Sequence, residues 1–171
     1  MKKVGIAPVS FNFSEELAND LRKKYYLNPA EVELHKGRKV SVYGITSRTI
    51  KKEVWRHIKE YSDASGILVS KIDDISVIKY SKNDGYGKHS DISLWDNSKR
   101  MRKISFIAQL SNPNEYTGGE VCLIDGDKKF VLPRQMCAGI MFPSFAPHMV
   151  KPVTSGTRLS IVCWVLGKCW Q

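Results

Sequence analysis

The 171-residue chain lacks paired cysteines, long apolar runs, a polybasic cluster and more than a few histidines. Each absence excludes something. Cys122, Cys137, Cys163 and Cys169 form no Cys-x-x-Cys pair and show no secreted-domain spacing, which argues against a disulfide framework and a closed four-ligand zinc site. They read as reduced, small apolar fillers. No apolar stretch approaches the roughly 18 residues of a membrane span. In the opening MKKVGIAPVSFNF, Pro8, Ser10 and Asn12 interrupt any signal-peptide core, so a cytoplasmic protein is expected. The formal charge of +10 is the compositional outlier. Its lysines are scattered along the chain, which favours a solvated basic surface over a nucleic-acid patch, with an acidic partner as the alternative. Only His35, His57, His89 and His148 are available as imidazole ligands.

What is present reads as one soluble domain over residues 1–171, with helical support in 1–66 and a β core in 67–171. Ser14 followed by Glu15 and Glu16 is a helix start, and Leu17, Leu21 and Tyr25 keep helical spacing, predicting a helix over 14–26 that Asn28-Pro29 ends. Residues 32–43 are rich in β formers around Gly37 and read as a hairpin or loop. Ser47 caps a second helix over 48–61, with Ile50, Val54, Ile58 and Tyr61 on one stripe. After Gly66 come eight short β-like runs separated by turn residues such as Asn83-Asp-Gly, Asn112-Pro-Asn and Asp125-Gly-Asp. Strands without intervening helices exclude a parallel βαβ sheet. The expected class is mainly β with flanking helices (α+β), a jelly roll with the N-terminal helices packed on one outer face.

The chemistry-bearing stretch is Tyr80 to Leu110, which contains His89-Ser90-Asp91. If 89–91 is a strand end, period-two alternation places the imidazole and the carboxylate on one side, able to share a metal ion. His148 is the best third ligand, ten residues before Arg158 on the β-type run that ends at Trp164. Two imidazoles and one carboxylate leave coordination positions open, which suits non-haem Fe(II) that must bind a co-substrate and oxygen. A bare His-x-Asp arises often by chance, and the bland alternative is a solvated histidine. His57, beside the helix stripe, and His35 lack a partner at ligand spacing and read as ordinary histidines.

The ordered set Tyr80, His89-Ser-Asp91, Arg102, Leu110-Ser-Asn, Tyr116-Thr-Gly-Gly-Glu120, Phe142-Pro-Ser, His148, Arg158 and Trp164 resembles the Fe(II) and 2-oxoglutarate-dependent dioxygenases, in their prolyl-4-hydroxylase-like branch. The resemblance covers about residues 75–167 and implies a double-stranded β-helix (cupin-like). It implies Fe(II) on His89, Asp91 and His148, 2-oxoglutarate as co-substrate, O2 as oxidant and ascorbate as an optional reductant. The implied reaction hydroxylates an unactivated C–H bond and gives succinate and CO2. The family's halogenating relatives lack the carboxylate that Asp91 supplies here, so hydroxylation is implied.

Arg158 opens an alternating run in which Arg158, Ser160, Val162 and Trp164 oppose Leu159, Ile161, Cys163 and Val165. An inward arginine needs an anion, and its planar fork suits the distal carboxylate of 2-oxoglutarate. The rival is a structural salt bridge to Glu120 or Asp125. Ser160 could share the anion. Tyr80 resembles the family tyrosine near the keto-acid end, with an ordinary strand aromatic as the alternative. Gln109 aligns where some relatives carry a co-substrate-contacting tyrosine, and is a departure. Tyr86, Trp95 and Arg102 are the candidate substrate residues, with packing or surface roles as the alternative. Gly118-Gly119 reads as a turn or bulge. A peptide or protein substrate, most simply a prolyl residue, is expected. A free amino acid or nucleic-acid base is the alternative, as is a cupin-type binding module without turnover. The demethylase branch carries a second arginine six residues after the first. Trp164 stands there, so nucleic acid is not the expected partner.

Overall fold

A computed structural model describes residues 7–25, 31–35, 38–93 and 100–169. Among the described residues, two helices pack against a long, curled antiparallel sheet that also takes strands from before and between them. Helix α1 (Glu15–Tyr25) has its acidic residues in the first turn and Arg22, Lys23 and Lys24 in the last, complementing the helix dipole. Ser14 Oγ accepts from the Leu17 amide at 3.4 Å. Helix α2 (Arg48–Ser65) starts at Ser47, whose hydroxyl accepts from Ile50 N–H at 3.4 Å. It runs a turn beyond the stripe that defined it in sequence. The stop comes at Gly66, whose φ of 75° and N–H to the Ser62 carbonyl make a left-handed cap.

The strands are β1 (Val9–Asn12), β2 (Glu31–His35), β3 (Arg38–Gly44), β4 (Lys71–Tyr80), β5 (Tyr86–His89), β6 (Arg100–Gln109), β7 (Tyr116–Gly118), β8 (Val121–Asp125), β9 (Lys128–Val131), β10 (Ala138–Pro143), β11 (His148–Val150), β12 (Val153–Gly156) and β13 (Arg158–Lys168). The order β1-β10-β6-β13-β4-β3-β5-β11-β8-β9 forms one sheet, with β2 paired to β3 and a separate β12-β7 ribbon. The 32–43 segment is therefore a hairpin. Of the eight β-like runs, the one at 75–80 and the end of the one at 67–72 join in β4, while the one at 148–153 splits into β11 and β12 at Lys151-Pro152, because proline has no N–H for a ladder.

Side-chain alternation gives the sheet two different faces. Ile104, Phe106 and Ala108 of β6 and Leu159, Ile161, Cys163 and Val165 of β13 pack outward against Ala18 and Leu21 of α1 and Val54 and Ile58 of α2. The opposite faces of the same strands send Ile107 and Val162 inward to Ile78, Tyr80, Tyr116, Leu123, Phe142 and Val150. That inner space holds the site. The helices do cover one outer face, as expected, and the architecture is the double-stranded β-helix. No helix among the described residues is long and apolar enough to cross a membrane.

Candidate active site

His89 ends β5 and His148 begins β11, and the antiparallel pairing of these strands sets the two residues directly opposite each other. Their rings lie 4.1 Å apart between centroids. Each imidazole is held by its own chain two residues back. His89 Nδ1 is 2.7 Å from the Gly87 carbonyl, and His148 Nδ1 is 3.0 Å from the Ala146 carbonyl. A carbonyl can only accept, so Nδ1 carries the proton and each Nε2 offers a lone pair. Both Nε2 atoms face Asp91: His89 reaches Oδ1 and His148 reaches Oδ2, each at 3.4 Å. The three ligand atoms lie within 4.8 Å of one another.

Asp91 lies just beyond β5, not within a strand. Its side is set by its amide, which donates to the Ser144 carbonyl at 2.8 Å, rather than by strand alternation. Ser105 Oγ donates to Asp91 Oδ2 at 2.7 Å and sits 3.0 Å from Ser144 Oγ. Burial alone would raise the Asp91 pKa. The two imidazoles beside it, the Ser105 hydroxyl and the nearby Trp164 indole outweigh it and hold the carboxyl at about 2. His148 moves down, chiefly by burial, against the pull of Asp91. Both directions favour the ligating forms, an ionised carboxylate and a neutral imidazole. Ser105 and Ser144 had no assigned role in the sequence. Ser105 shares the inward face with Ile107 and Gln109, which was the available signal.

At the inner start of β13 stands Arg158, 1% exposed. Its Nε donates to Gln109 Oε1 at 3.1 Å, and its carbon Cζ lies 5.1 Å from the centroid of the Tyr80 ring, the residue opposite it on β4. Both terminal guanidinium nitrogens are buried without a partner among the described residues, as is Ser160 Oγ. Glu120, one rival anion, instead lies 4.0 Å from Lys151, and the Asp125 side chain lies outside the described residues. A buried guanidinium left unpaired is costly, by roughly 3–5 kcal/mol. The unpaired fork, with the Ser160 hydroxyl close by in sequence, is therefore suited to a carboxylate.

A family profile described as the 2OG-Fe(II) oxygenase superfamily matches residues 75–166, the stretch that carries all of these groups. The chain belongs to the 2OG-Fe(II) oxygenase superfamily. Among its relatives in this superfamily, a PKHD-type hydroxylase of Prochlorococcus marinus is 33% identical over 78% of this chain and 58% of its own length. Another, from Synechococcus sp., is 34% identical over 57% of this chain and 43% of its own. The chain thus spans about half the length of these curated relatives. In three dimensions it is similar to the viral collagen prolyl hydroxylase of Paramecium Bursaria Chlorella virus-1, with a TM-score of 0.72 at 17% identity, covering 94% of this chain and 96% of that one. That likeness concerns the fold.

Fe(II) and 2-oxoglutarate are the metal and co-substrate of this oxygenase superfamily, and the residues fit both. Two ε-nitrogens and a carboxylate converge on one point, and the orphaned guanidinium fork awaits an anion. Gln109 meets the pocket through its neighbour: its amide accepts from Arg158 and donates weakly to the Pro133 carbonyl at 3.4 Å. Of the candidate substrate residues, Tyr86 stacks on His89 at 3.5 Å. Arg102 donates to Asp73 at 2.8 Å and lies 4.2 Å over the Trp164 ring. Trp95 lies outside the described residues. His57 is not at this site: it stacks on Phe11, and its Nε2 is 2.9 Å from Arg56 Nη2. The His35 side chain is also outside the described residues.

Proposed function

We propose that this chain is a hydroxylase of peptidyl residues, most simply proline, working as a single oxygenase domain in the cytoplasm. The observation that carries the oxygenase part is the buried Arg158 fork, whose two terminal nitrogens have no partner among the described residues and which lies over Tyr80, a member of the inner cluster whose Phe142 packs on His148. In this reading His89, Asp91 and His148 hold Fe(II). Arg158 and Ser160 take the distal carboxylate of 2-oxoglutarate, Tyr80 flanks it, and Gln109 acts by fixing Arg158 through its Nε. When bound, the iron would supply activation of O2, with 2-oxoglutarate as the reductant: one oxygen atom would enter succinate as CO2 leaves, and the other would hydroxylate the C–H bond.

The protein's part is orientation and exclusion of water. The backbone carbonyls of Gly87 and Ala146 keep both Nε2 atoms open, and Ser105 fixes the Asp91 carboxylate. Tyr86 on His89 and Arg102 on Trp164 border the metal side and offer flat aromatic surface to an apolar ring such as pyrrolidine. A prolyl substrate is supported by the names of the similar proteins and by these aromatic walls. The four cysteines, free as thiols, fit a reducing compartment.

The test incubates the protein, Fe(II) and 2-oxoglutarate with proline-containing peptides, free amino acids and oligonucleotides, and reads oxygen incorporation by mass spectrometry. Hydroxyproline in a peptide supports the proposal. An oxidised oligonucleotide or free amino acid, with every prolyl peptide untouched, overturns the substrate while keeping the chemistry. Absence of any succinate overturns both.

A further inference from the structure

Tyr116 is 2% exposed, and its hydroxyl is buried without a hydrogen-bond partner, an arrangement that costs free energy unless something arrives to accept or donate. Its place in the fold says what arrives. Residue 116 begins β7 and pairs with Gly156 of β12, two residues before Arg158. A Cβ built on Gly119 would come within 3.0 Å of Arg158 Cδ and 3.4 Å of Tyr116 Cε2, so the two side chains converge over a glycine that must stay small. Gly119 also has φ +69°, a second reason for glycine there. The Tyr116 ring is pinned: the Arg134 guanidinium lies 4.4 Å from its centroid and donates to the carbonyls of Tyr116 and Pro113. Gln109 cannot serve in its place. Its carbonyl oxygen is engaged by Arg158 Nε, and its amide nitrogen is turned to the Pro133 carbonyl.

We infer that Tyr116 is a co-substrate-binding residue, whose phenol hydroxyl donates to the distal carboxylate of 2-oxoglutarate alongside the Arg158 fork. The inference rests on the assignment of Arg158 to that carboxylate. In this chain the two duties are divided between residues: Gln109 orients the guanidinium, and Tyr116 supplies the hydroxyl. A hydrogen bond to a charged acceptor in a buried site changes affinity by about tenfold or more.

The experiment measures ligand binding, not turnover, by calorimetry on Mn(II)-loaded protein. Wild type and Tyr116→Phe are compared with 2-oxoglutarate and with 2-oxobutanoate, which keeps the keto acid and lacks the distal carboxylate. Tyr116→Phe should weaken 2-oxoglutarate about tenfold and leave 2-oxobutanoate unchanged. Equal affinities of the two proteins for 2-oxoglutarate would overturn the inference, as would an equal loss for both ligands, which would mark the ring as packing alone. Wild type that shows no preference for 2-oxoglutarate over 2-oxobutanoate would remove the carboxylate site itself, and Tyr116 with it. Arg158→Lys is run in parallel. If it discriminates between the ligands as the proposal requires while Tyr116→Phe does not, only the tyrosine assignment fails.

Discussion

Arg158 carries a buried positive charge whose terminal nitrogens have no partner among the described residues, and that single circumstance gives the residue scale its sharpest prediction. A lysine at 158 would keep the charge but offer no planar fork, so Arg158→Lys should raise the 2-oxoglutarate concentration for half-maximal succinate formation by about tenfold or more. An unchanged dependence in Arg158→Ala would remove the residue from the site. At the metal side, His89→Ala, Asp91→Ala and His148→Ala should each keep the far-ultraviolet circular dichroism of the wild type yet lose Fe(II)-dependent succinate formation, while His57→Ala keeps it. A His57 variant as inactive as the His148 variant would overturn the ligand assignment. His89 and Asp91 stood out in the sequence because a His-x-Asp is a local pattern, and His148 because few histidines compete for the third place, whereas the side on which Asp91 falls is set by its amide hydrogen bond to the Ser144 carbonyl. Ser105 and Ser144 did not stand out, because they meet only through the β10–β6 pairing, which sets Ser105 opposite Phe142, next to Ser144. Gln109 stood out in the sequence only through the family tyrosine position, and its attachment to Arg158 depends on the β13–β6 register, in which it stands opposite Ser160.

At the scale of the element, α2 shows how a histidine can be buried for packing rather than ligation. His57 Nε2 lies between a donor, Arg56 Nη2 at 2.9 Å, and an acceptor, Glu53 Oε1 at 3.2 Å, on the helix's own surface. Burial first, and the Arg56 charge second, push the His57 pKa below its ordinary 6.5, against the opposing pull of Glu53 and Glu60. Phe11 and Phe106 face the ring from the sheet side. The sign follows from the lowered folded value. Above about pH 6.5 the ring is neutral in both states, and stability is unaffected. As pH falls below 6.5 the unfolded chain takes up a proton that the folded chain resists, so stability declines until the folded pKa is passed. Thermal denaturation at pH 7.5 and 5.5 should therefore show a smaller drop for His57→Phe than for wild type. An identical drop would mean that His57 does not titrate differently on folding. The helices themselves were legible because a cap and an apolar stripe are written within one turn of each other. Strand ends were less so: β1, β5 and β7 are short, their burial is mixed, and only their partners β10, β11 and β12 define them.

Over the whole molecule, the ligands come from places far apart in the chain. His89 ends β5, His148 begins β11, and Asp91 lies on the segment leaving β5, tied by its amide to Ser144 after β10. An unfolded chain offers no such convergence, so metal bound to the native state stabilises the whole fold by mass action. At a free metal concentration about 100 times the dissociation constant, that linkage is about 2.7 kcal/mol. For a domain of this size each kcal/mol moves the melting temperature by about 2–4 °C, so Mn(II), an oxygen-stable substitute for Fe(II), should raise it by roughly 5–10 °C. A chelator should return it to the starting value. The same addition to Asp91→Ala should produce little or no shift, because two imidazoles alone make a weaker site. If 2-oxoglutarate completes the site as proposed, adding it with Mn(II) should raise the melting temperature again in wild type, and far less in Arg158→Ala. A shift of equal size in Asp91→Ala would place the metal elsewhere. A second shift that survives in Arg158→Ala would detach the co-substrate from the buried guanidinium.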